Sequence, residues 1–506
     1  MTSPTSRRTV DRRARRRAQQ RRRLQRLRVV ALVLALTGAV LVAVGYSADG
    51  TPEMASAERT GYELATPMLS ARRVPQLLLR PVADAKIAAE LQPLVQQSPP
   101  DSCISAGQAG SSVFELRADQ PLLPASNLKL VVGATALEVL GPDTTMTTRV
   151  VAKADPVGGT VQGDLFFVGG GDPILETGNY DAALRFAPQP HTPLERLADS
   201  IRAAGVTRVT GEIVGDDGRY DTKRGVDSWD PIDFANGEIG PLSALSVNDA
   251  RDRTNGGDLA EIASGAISEP AQDPPAHAAE VLRELLVARG VTVDGGFSSG
   301  MAPDEARQIA SIESPPVVDL VAQMLRFSDN NTAELLLKEV GREAGGEGST
   351  EAGLMVEMKK LAAWGIDTKG VKLVDGSGLS SDNRMTCNVL RSILDHQTAG
   401  GRLAGGLAVP GENGTLRDRW VGSPAATAVR AKTGTLSAVT GLSGWVKTPK
   451  GYDVSFSYLV NRPGASIIPD DLIRQEQLTQ VLLSYPQLPD PKRLAPEPVR
   501  PVDPDS

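Results

Sequence analysis

The chain has 506 residues, more than one ordinary domain, with 41% hydrophobic and only 4% aromatic residues. That is enough for a sizeable core and too few rings for a nucleic-acid stacking surface. The net charge of −7 is uneven: twelve arginines and one aspartate fall in residues 1–28, so the remainder carries about −18, and no nucleic-acid partner is expected for so acidic a bulk.

The adjoining segment accounts for the basic head. Residues 29–44 are a charge-free run of mainly Val, Ala and Leu, directly after Arg26 and Arg28. Arginines ahead of such a run hold the N-terminus in the cytoplasm and send the rest outward. The run is long for a cleavable signal and slightly short for a full span, and Ala43, Gly45, Ser47 and Ala48 offer small residues for cleavage. Residues 29–47 are therefore expected to anchor the chain in the membrane, with a cleaved signal as the alternative. An exported chain permits a disulfide. Cys103 and Cys387 are its two cysteines, and nothing in their spacing says whether they meet. His191, His277 and His396 stand in no metal-ligand spacing, and each reads as a surface or loop residue.

Residues 48–95, rich in Ala, Pro, Ser and Gln, read as a tether that ends in a short helix at about 82–91. Segments 104–105 and 113–116 flank a Gly/Ser turn and predict a hairpin. Pro124-Ala125-Ser126-Asn127-Leu128-Lys129 then opens an apolar run that stops at Gly141-Pro142. Ser126 falls where a helix N-cap would, and a helix apolar on nearly all sides is a buried one. Lys129 follows Ser126 by three residues, which places both on one helix face. Burial disfavours a charged lysine, so the pair reads as a nucleophile beside its base.

Strand-like segments at 149–152 and 163–168 lead to Gly169-Gly170-Gly171-Asp172-Pro173. That turn lacks the Gly-Lys-Ser/Thr ending of a phosphate loop and reads as a tight turn. A helix at 194–204, a strand at 208–214, a Gly/Asp/Pro-rich stretch to 275, a helix at 276–289 and a strand at 291–293 read as one or two small modules lodged inside something larger. Helices at 315–327, 332–341, 354–364 and 388–397 come next. Strands at 429–435, 441–446 and 452–460, joined by short turns, predict an antiparallel sheet, and a helix at 472–483 closes it. Residues 485–506 carry no core pattern and are expected to be disordered.

Three short motifs now stand in sequence: Ser126-x-x-Lys129, Ser328-Asp329-Asn330 and Lys432-Thr433-Gly434. Each is cheap alone; together, on a helix start, a helix-to-helix turn and a strand, they are the set found in penicillin-binding proteins and class A β-lactamases. Acyl transfer asks for these types. Ser126 is the nucleophile and Lys129 the base. Ser328 relays a proton to the departing amine, and Asn330 holds Lys129 and the substrate amide. Lys432 supplies a cation for a substrate carboxylate, Thr433 adds a hydroxyl, and Gly434 lets the substrate backbone lie against the strand. Backbone N–H groups of Ser126 and Thr435 form the oxyanion hole. Asp329 is read as the cap of the following helix.

From about residue 103 to 483 the chain resembles the class C low-molecular-mass penicillin-binding proteins, the DacB-like D-alanyl-D-alanine carboxypeptidase/endopeptidase serine peptidases. Leu123-Pro124-Ala125-Ser126, Gly170-Gly171-Asp172-Pro173, Ser328 to Glu334, Asp375-Gly376-Ser377-Gly378-Leu379-Ser380 and Ala431-Lys432-Thr433-Gly434-Thr435 carry the likeness. The family's mark is a large insertion between the first two motifs, and about 200 residues separate Ser126 from Ser328. The resemblance implies an α+β transpeptidase/β-lactamase-like domain, an antiparallel sheet flanked by helices, with an inserted lobe. It implies no metal or organic cofactor. It also implies hydrolysis of the D-Ala-D-Ala ends or cross-links of peptidoglycan stem peptides, and covalent inhibition by β-lactams. A β-lactamase-like esterase and a non-catalytic wall-binding protein are the alternatives. Where several members carry an arginine after the Asp-Gly-Ser-Gly-Leu-Ser motif, this chain has Ser381, with Arg384 three residues on. Loose alignment suggests that Asp233 meets the amino end of the stem peptide's third residue.

The expected division is a basic cytoplasmic segment (1–28), the membrane or signal segment (29–47), a linker (48–95), a discontinuous catalytic domain (96–150 and 311–484), inserted domains (151–310) and a Pro-rich tail (485–506). The enzyme is expected on the outer face of the cytoplasmic membrane, in the periplasm or in the cell wall.

Overall fold

A computed structural model describes residues 62–63, 70, 76–108, 110–184, 186–251, 269–488, 496 and 500–501. The expected segments at 1–28 and 29–47 lie outside them. No helix among the described residues is long and apolar enough to cross a membrane. The chain divides into two compact units, one of residues 74–495 and one of residues 1–73 with 496–506. In the second unit Tyr62–Glu63 pairs antiparallel with Arg500–Pro501.

The large unit is built on a five-stranded antiparallel sheet. Its strands are β1 (Ser102–Gln108), β2 (Ser111–Leu116), β3 (Val429–Leu436), β4 (Val439–Lys447) and β5 (Asp453–Asn461), in the spatial order β3-β4-β5-β1-β2. Side chains alternate between the two faces of a strand, and here helices cover both. Val454, Phe456, Tyr458 and Val460 of β5 share a core with Ala83, Ile87, Leu91 and Leu94 of helix α1 (Gln76–Gln97). On the other face α2 (Lys129–Val139) lies at the centre of a second core. It packs with residues of α3 (Val317–Phe327), α4 (Asn330–Val340), α5 (Thr350–Ala363) and α6 (Cys387–Gln397). Helix α7 (Pro469–Leu483) adds Leu478 and Leu482 to the first core.

Helix α1 exceeds the short helix read at 82–91. It runs for 22 residues through Pro81 and Pro93. Each proline removes an amide hydrogen bond, but tertiary burial of an apolar stripe outweighs local propensity. Most of the expected linker from 76 onward therefore belongs to the packed unit. At the other end Tyr485, expected in a disordered tail, is buried, and its hydroxyl donates to Asp84 at 2.9 Å. Cys103 on β1 and Cys387 at the start of α6 are joined in a disulfide, with Cα atoms 5.9 Å apart across 284 residues of sequence. His277 sits buried within helix Pro274–Val287, not at the surface.

The inserted lobe has its own sheet, in the order Phe297–Ser299, Ile213–Asp216, Leu165–Val168, Thr147–Ala152, Arg307–Glu313. Its outermost pair, Thr147–Ala152 with Arg307–Glu313, is antiparallel, so the insert's framework reaches a few residues beyond 151–310 on each side. Helices Leu194–Ala203 and Pro274–Val287 bury their apolar stripes on it. The strand read at 208–214 is two strands in different sheets, Arg208–Val209 and Ile213–Asp216, with Gly211 between them. A Cβ at Gly211 would lie 2.2 Å from the Asp164 carboxylate, so the chain turns where only glycine fits. A second part of the insert, with Tyr220, Trp229, Ile239 and Leu242, packs on Leu335 of α4.

Candidate active site

The first motif is held in a turn, not capped as expected. Residues Ala125–Leu128 form a single 3₁₀ turn that runs into α2, with Ser126 inside it and Ala125 at φ +46°. Such a backbone is disfavoured for alanine and is kept by its surroundings. A Cβ on Gly434 would stand 2.5 Å from Asn127 Nδ2 and 2.8 Å from the Pro124 carbonyl, and one on Gly378 only 2.1 Å from the Ala125 carbonyl. Gly434 is thus required for the strand to close on the serine turn, a different use from the substrate contact expected of it. Gly378 and Gly441 complete this cradle; the sequence reading has Gly378 only as part of a motif and gives neither glycine this role.

One turn on, Lys129 is fully buried. Its Nζ donates to Ser126 Oγ at 3.1 Å, to Asn330 Oδ1 at 2.6 Å and to the Ser377 carbonyl at 2.6 Å. Burial lowers its pKa to about 8, against the opposing pull of Glu334, Asp375, Asp329 and Glu238. Glu334 is buried too, and burial, with Asp375 adding to it, pushes its carboxyl up to about 8. Glu334 Oε1 accepts from the amides of Gly376 and Ser377 at 3.0 and 2.6 Å, which fixes the turn whose carbonyl receives Lys129.

The other two motifs meet the first. Ser328 takes a left-handed conformation (φ +67°) between α3 and α4. Asp329 caps α4, accepting from the Thr332 amide at 2.8 Å. On β3, the buried Lys432 donates from Nζ to Ser328 Oγ at 2.9 Å and to the Thr433 carbonyl at 2.8 Å. Burial, then the charge of Lys129, keeps Lys432 well below the usual lysine range. Asn330 spends both ends of its amide within the protein: Nδ2 donates to the Glu238 carbonyl of the insert at 2.7 Å while Oδ1 receives Lys129. The expected hydrogen bond from Asn330 to the substrate amide would compete with that contact.

A cleft of about 1050 Å³ opens over this network, lined by Ser126, Ser328, Asn330, Thr433 and Thr435. Lys129, Lys432 and Gly434 lie behind its surface. The insert supplies the facing wall, which includes Asp230, Asp233 and Glu238. Burial, then Asp230 and Glu238, raises the Asp233 carboxyl. Ser381 also lines the cleft, whereas Arg384 donates to the carbonyls of Ser381 and Asn383. The cationic side chain among the lining residues is Arg419, which no motif marked. Trp229 of the insert donates to Asp375 Oδ2 at 2.8 Å, tying the two lobes together behind the site.

Comparison with known proteins agrees in extent. The family described as D-Ala-D-Ala carboxypeptidase 3 (S13) matches residues 85–266 and 251–480. The chain is 31% identical over 422 residues to a D-alanyl-D-alanine carboxypeptidase of Actinomadura sp. (strain R39), a match covering 70% of this chain and 76% of that one. It is also 31% identical over 376 residues to carboxypeptidase DacB of Mycolicibacterium smegmatis, covering 71% and 76%. The fold matches the crystal structure of penicillin binding protein 4 of Haemophilus influenzae with a TM-score of 0.65 at 20% identity, over 78% of this chain and 99% of that one. With the insert and all three motifs inside the matched span, the chain belongs to the D-Ala-D-Ala carboxypeptidase 3 (S13) family of serine peptidases.

Proposed function

We propose that the chain hydrolyses the terminal D-Ala-D-Ala bond of peptidoglycan stem peptides, and peptide cross-links of the same chemistry, through an acyl-Ser126 intermediate. One observation carries the reading: a fully buried lysine with its pKa lowered to about 8 lies in hydrogen-bond contact with a cleft-lining serine. Ser126 Oγ attacks the scissile carbonyl and its proton passes to neutral Lys129. The oxyanion is received by the N–H groups of Ser126 and Thr435. Ser328, oriented by Lys432, hands a proton to the leaving amine and is replenished from the lysine pair. Water then attacks the acyl-serine with Lys129 as base. Thr433 and Thr435, backed by Lys432, receive the substrate carboxylate, and Asp233 receives an amino group on the third residue of the stem. A β-lactam enters the same path and stops at the acyl-enzyme.

The setting is extracytoplasmic. A disulfide between the two cysteines suits an oxidising compartment, and residues 29–47 serve as the membrane anchor. The test is incubation of the full-length chain with defined muropeptides. Free D-Ala and a split cross-link are separate products by mass, and both are expected. Absence of both products, with no penicillin adduct on Ser126, would refute the assignment.

A further inference from the structure

The insert's loop from Leu175 to Pro193 is closed at its base by a short parallel pair, Leu175–Glu176 with Thr192–Pro193. Inside it Glu176, Asp181 and His191 bring two carboxylate oxygens and a ring nitrogen within 4.8 Å of one another. Glu176 is only 4% exposed, and its buried Oε2 has no hydrogen-bond partner. The strongest charges acting on it are those of Asp249, Asp329, Asp181 and Asp172, carboxylates all. His191 Nδ1 stands 3.9 Å from Asp181 Oδ1 and 3.1 Å from the Gln189 carbonyl. A buried carboxylate among carboxylates requires either a proton or a cation. An imidazole at the same point selects a cation of the zinc class over calcium or magnesium, which take oxygen ligands.

We propose that Glu176, Asp181 and His191 form a Zn²⁺ site in the inserted lobe. An ion at roughly 2.0–2.2 Å from each donor draws the three side chains slightly closer together. A fourth position is left for water or the Gln189 carbonyl. The site braces the wall of the cleft, because Leu184, Phe186 and Gln189 of the same loop line it. It also communicates with the second motif: Gln323 Nε2 donates to Gln189 Oε1 at 3.3 Å and to Asp329 Oδ2 at 2.9 Å. The ion's role is structural, and its binding is measurable whether or not the proposed reaction is correct.

The test strips the full-length chain with a chelator, then measures Zn²⁺ by equilibrium dialysis and thermal melting. One tightly held Zn²⁺ per chain is expected, with a melting temperature raised by at least about 2 °C at saturation. Mn²⁺ should bind more weakly, following the general affinity order, and Mg²⁺ should give no shift. Glu176→Gln and His191→Ala should each lose the ion. Glu176→Gln is close in shape to the protonated acid that the ion-free site holds, so without ion it should melt close to the parent, which separates lost binding from lost fold. Zn²⁺ binding that survives in either variant, or less than one ion per parent chain, overturns the site; the buried acid would then be held by a proton alone.

Discussion

The two lobes of the large unit contribute to the cleft in different ways. The sheet-and-helix lobe supplies the proposed reacting residues Ser126, Lys129, Ser328, Asn330 and Lys432 from the 3₁₀ turn, α2, the α3–α4 junction, α4 and β3, linked by side-chain hydrogen bonds. The inserted lobe touches that network through the Glu238 backbone carbonyl, bonds Asp375 behind it through the Trp229 indole, and lines the cleft with acids at Asp230, Asp233 and Glu238 beside Leu184, Phe186 and Gln189. In the proposed reading, chemistry and substrate selection are built from parts distant in sequence. A change in the first lobe should stop reaction with every substrate. A change in the second should discriminate between a large peptide and a small β-lactam.

The largest expected effect is at the proposed base. Lys129→Ala should slow labelling by a fluorescent penicillin by about 10³-fold, with the circular-dichroism melt retained. Labelling at the parent rate would remove Lys129 from that role.

Next comes a matched pair of glycines, one from each lobe. Gly378 and Gly205 both sit at positive φ, +87° and +89°, but a Cβ at Gly378 strikes the Ala125 carbonyl and one at Gly205 meets nothing within 4 Å. Both alanine variants should lose about 1 kcal/mol of stability from the backbone alone. Gly378→Ala alone should also lose acylation, by about 10²-fold, through displacement of the serine turn. Equal acylation rates in the two variants would break the contrast between the lobes.

The pH profile sharpens it further. In the proposed mechanism Lys129 serves as base only when neutral, and its pKa lies near 8 instead of the ordinary 10.5. Acylation should therefore rise with pH and level off above about 8, falling on the acid side by up to about tenfold per unit. A stopped-flow series with one β-lactam reads this directly, and a rate independent of pH between 6 and roughly 9 would contradict it.

The smallest effect belongs to the rim. Asp233→Asn should raise KM several-fold for a stem peptide with a free amine on its third residue, about 1 kcal/mol for a half-exposed pair. Its effect on penicillin acylation should be smaller. Equal losses for the two substrates would place Asp233 in the general fabric of the cleft.

Much of the first lobe was legible because its elements obey local rules. The apolar run after Lys129 announced a buried helix, and nine consecutive residues of it, Lys129 to Leu137, are buried. The three β-strands near the C-terminus were read from alternation and short turns, and they pair as expected. The insert was read more coarsely. Its strands are short, and the segment at 208–214 splits between two sheets at a glycine whose necessity is visible only beside Asp164. Helix α1 was underestimated because its two prolines argue locally against the length that packing enforces.

The amino-acid sequence by itself determined the family, the Ser126–Lys129 spacing and the presence of a large insertion, since these are carried by residue type and order. Only the folded chain decided that Gly434 and Gly378 serve the serine turn, that Asn330 is already bonded to the insert, that Lys432 works from behind the cleft, and that Cys103 meets Cys387. The physical reason is range. A helix fixes which of its own residues share a face, whereas partners 100 to 280 residues apart are chosen by how whole layers pack.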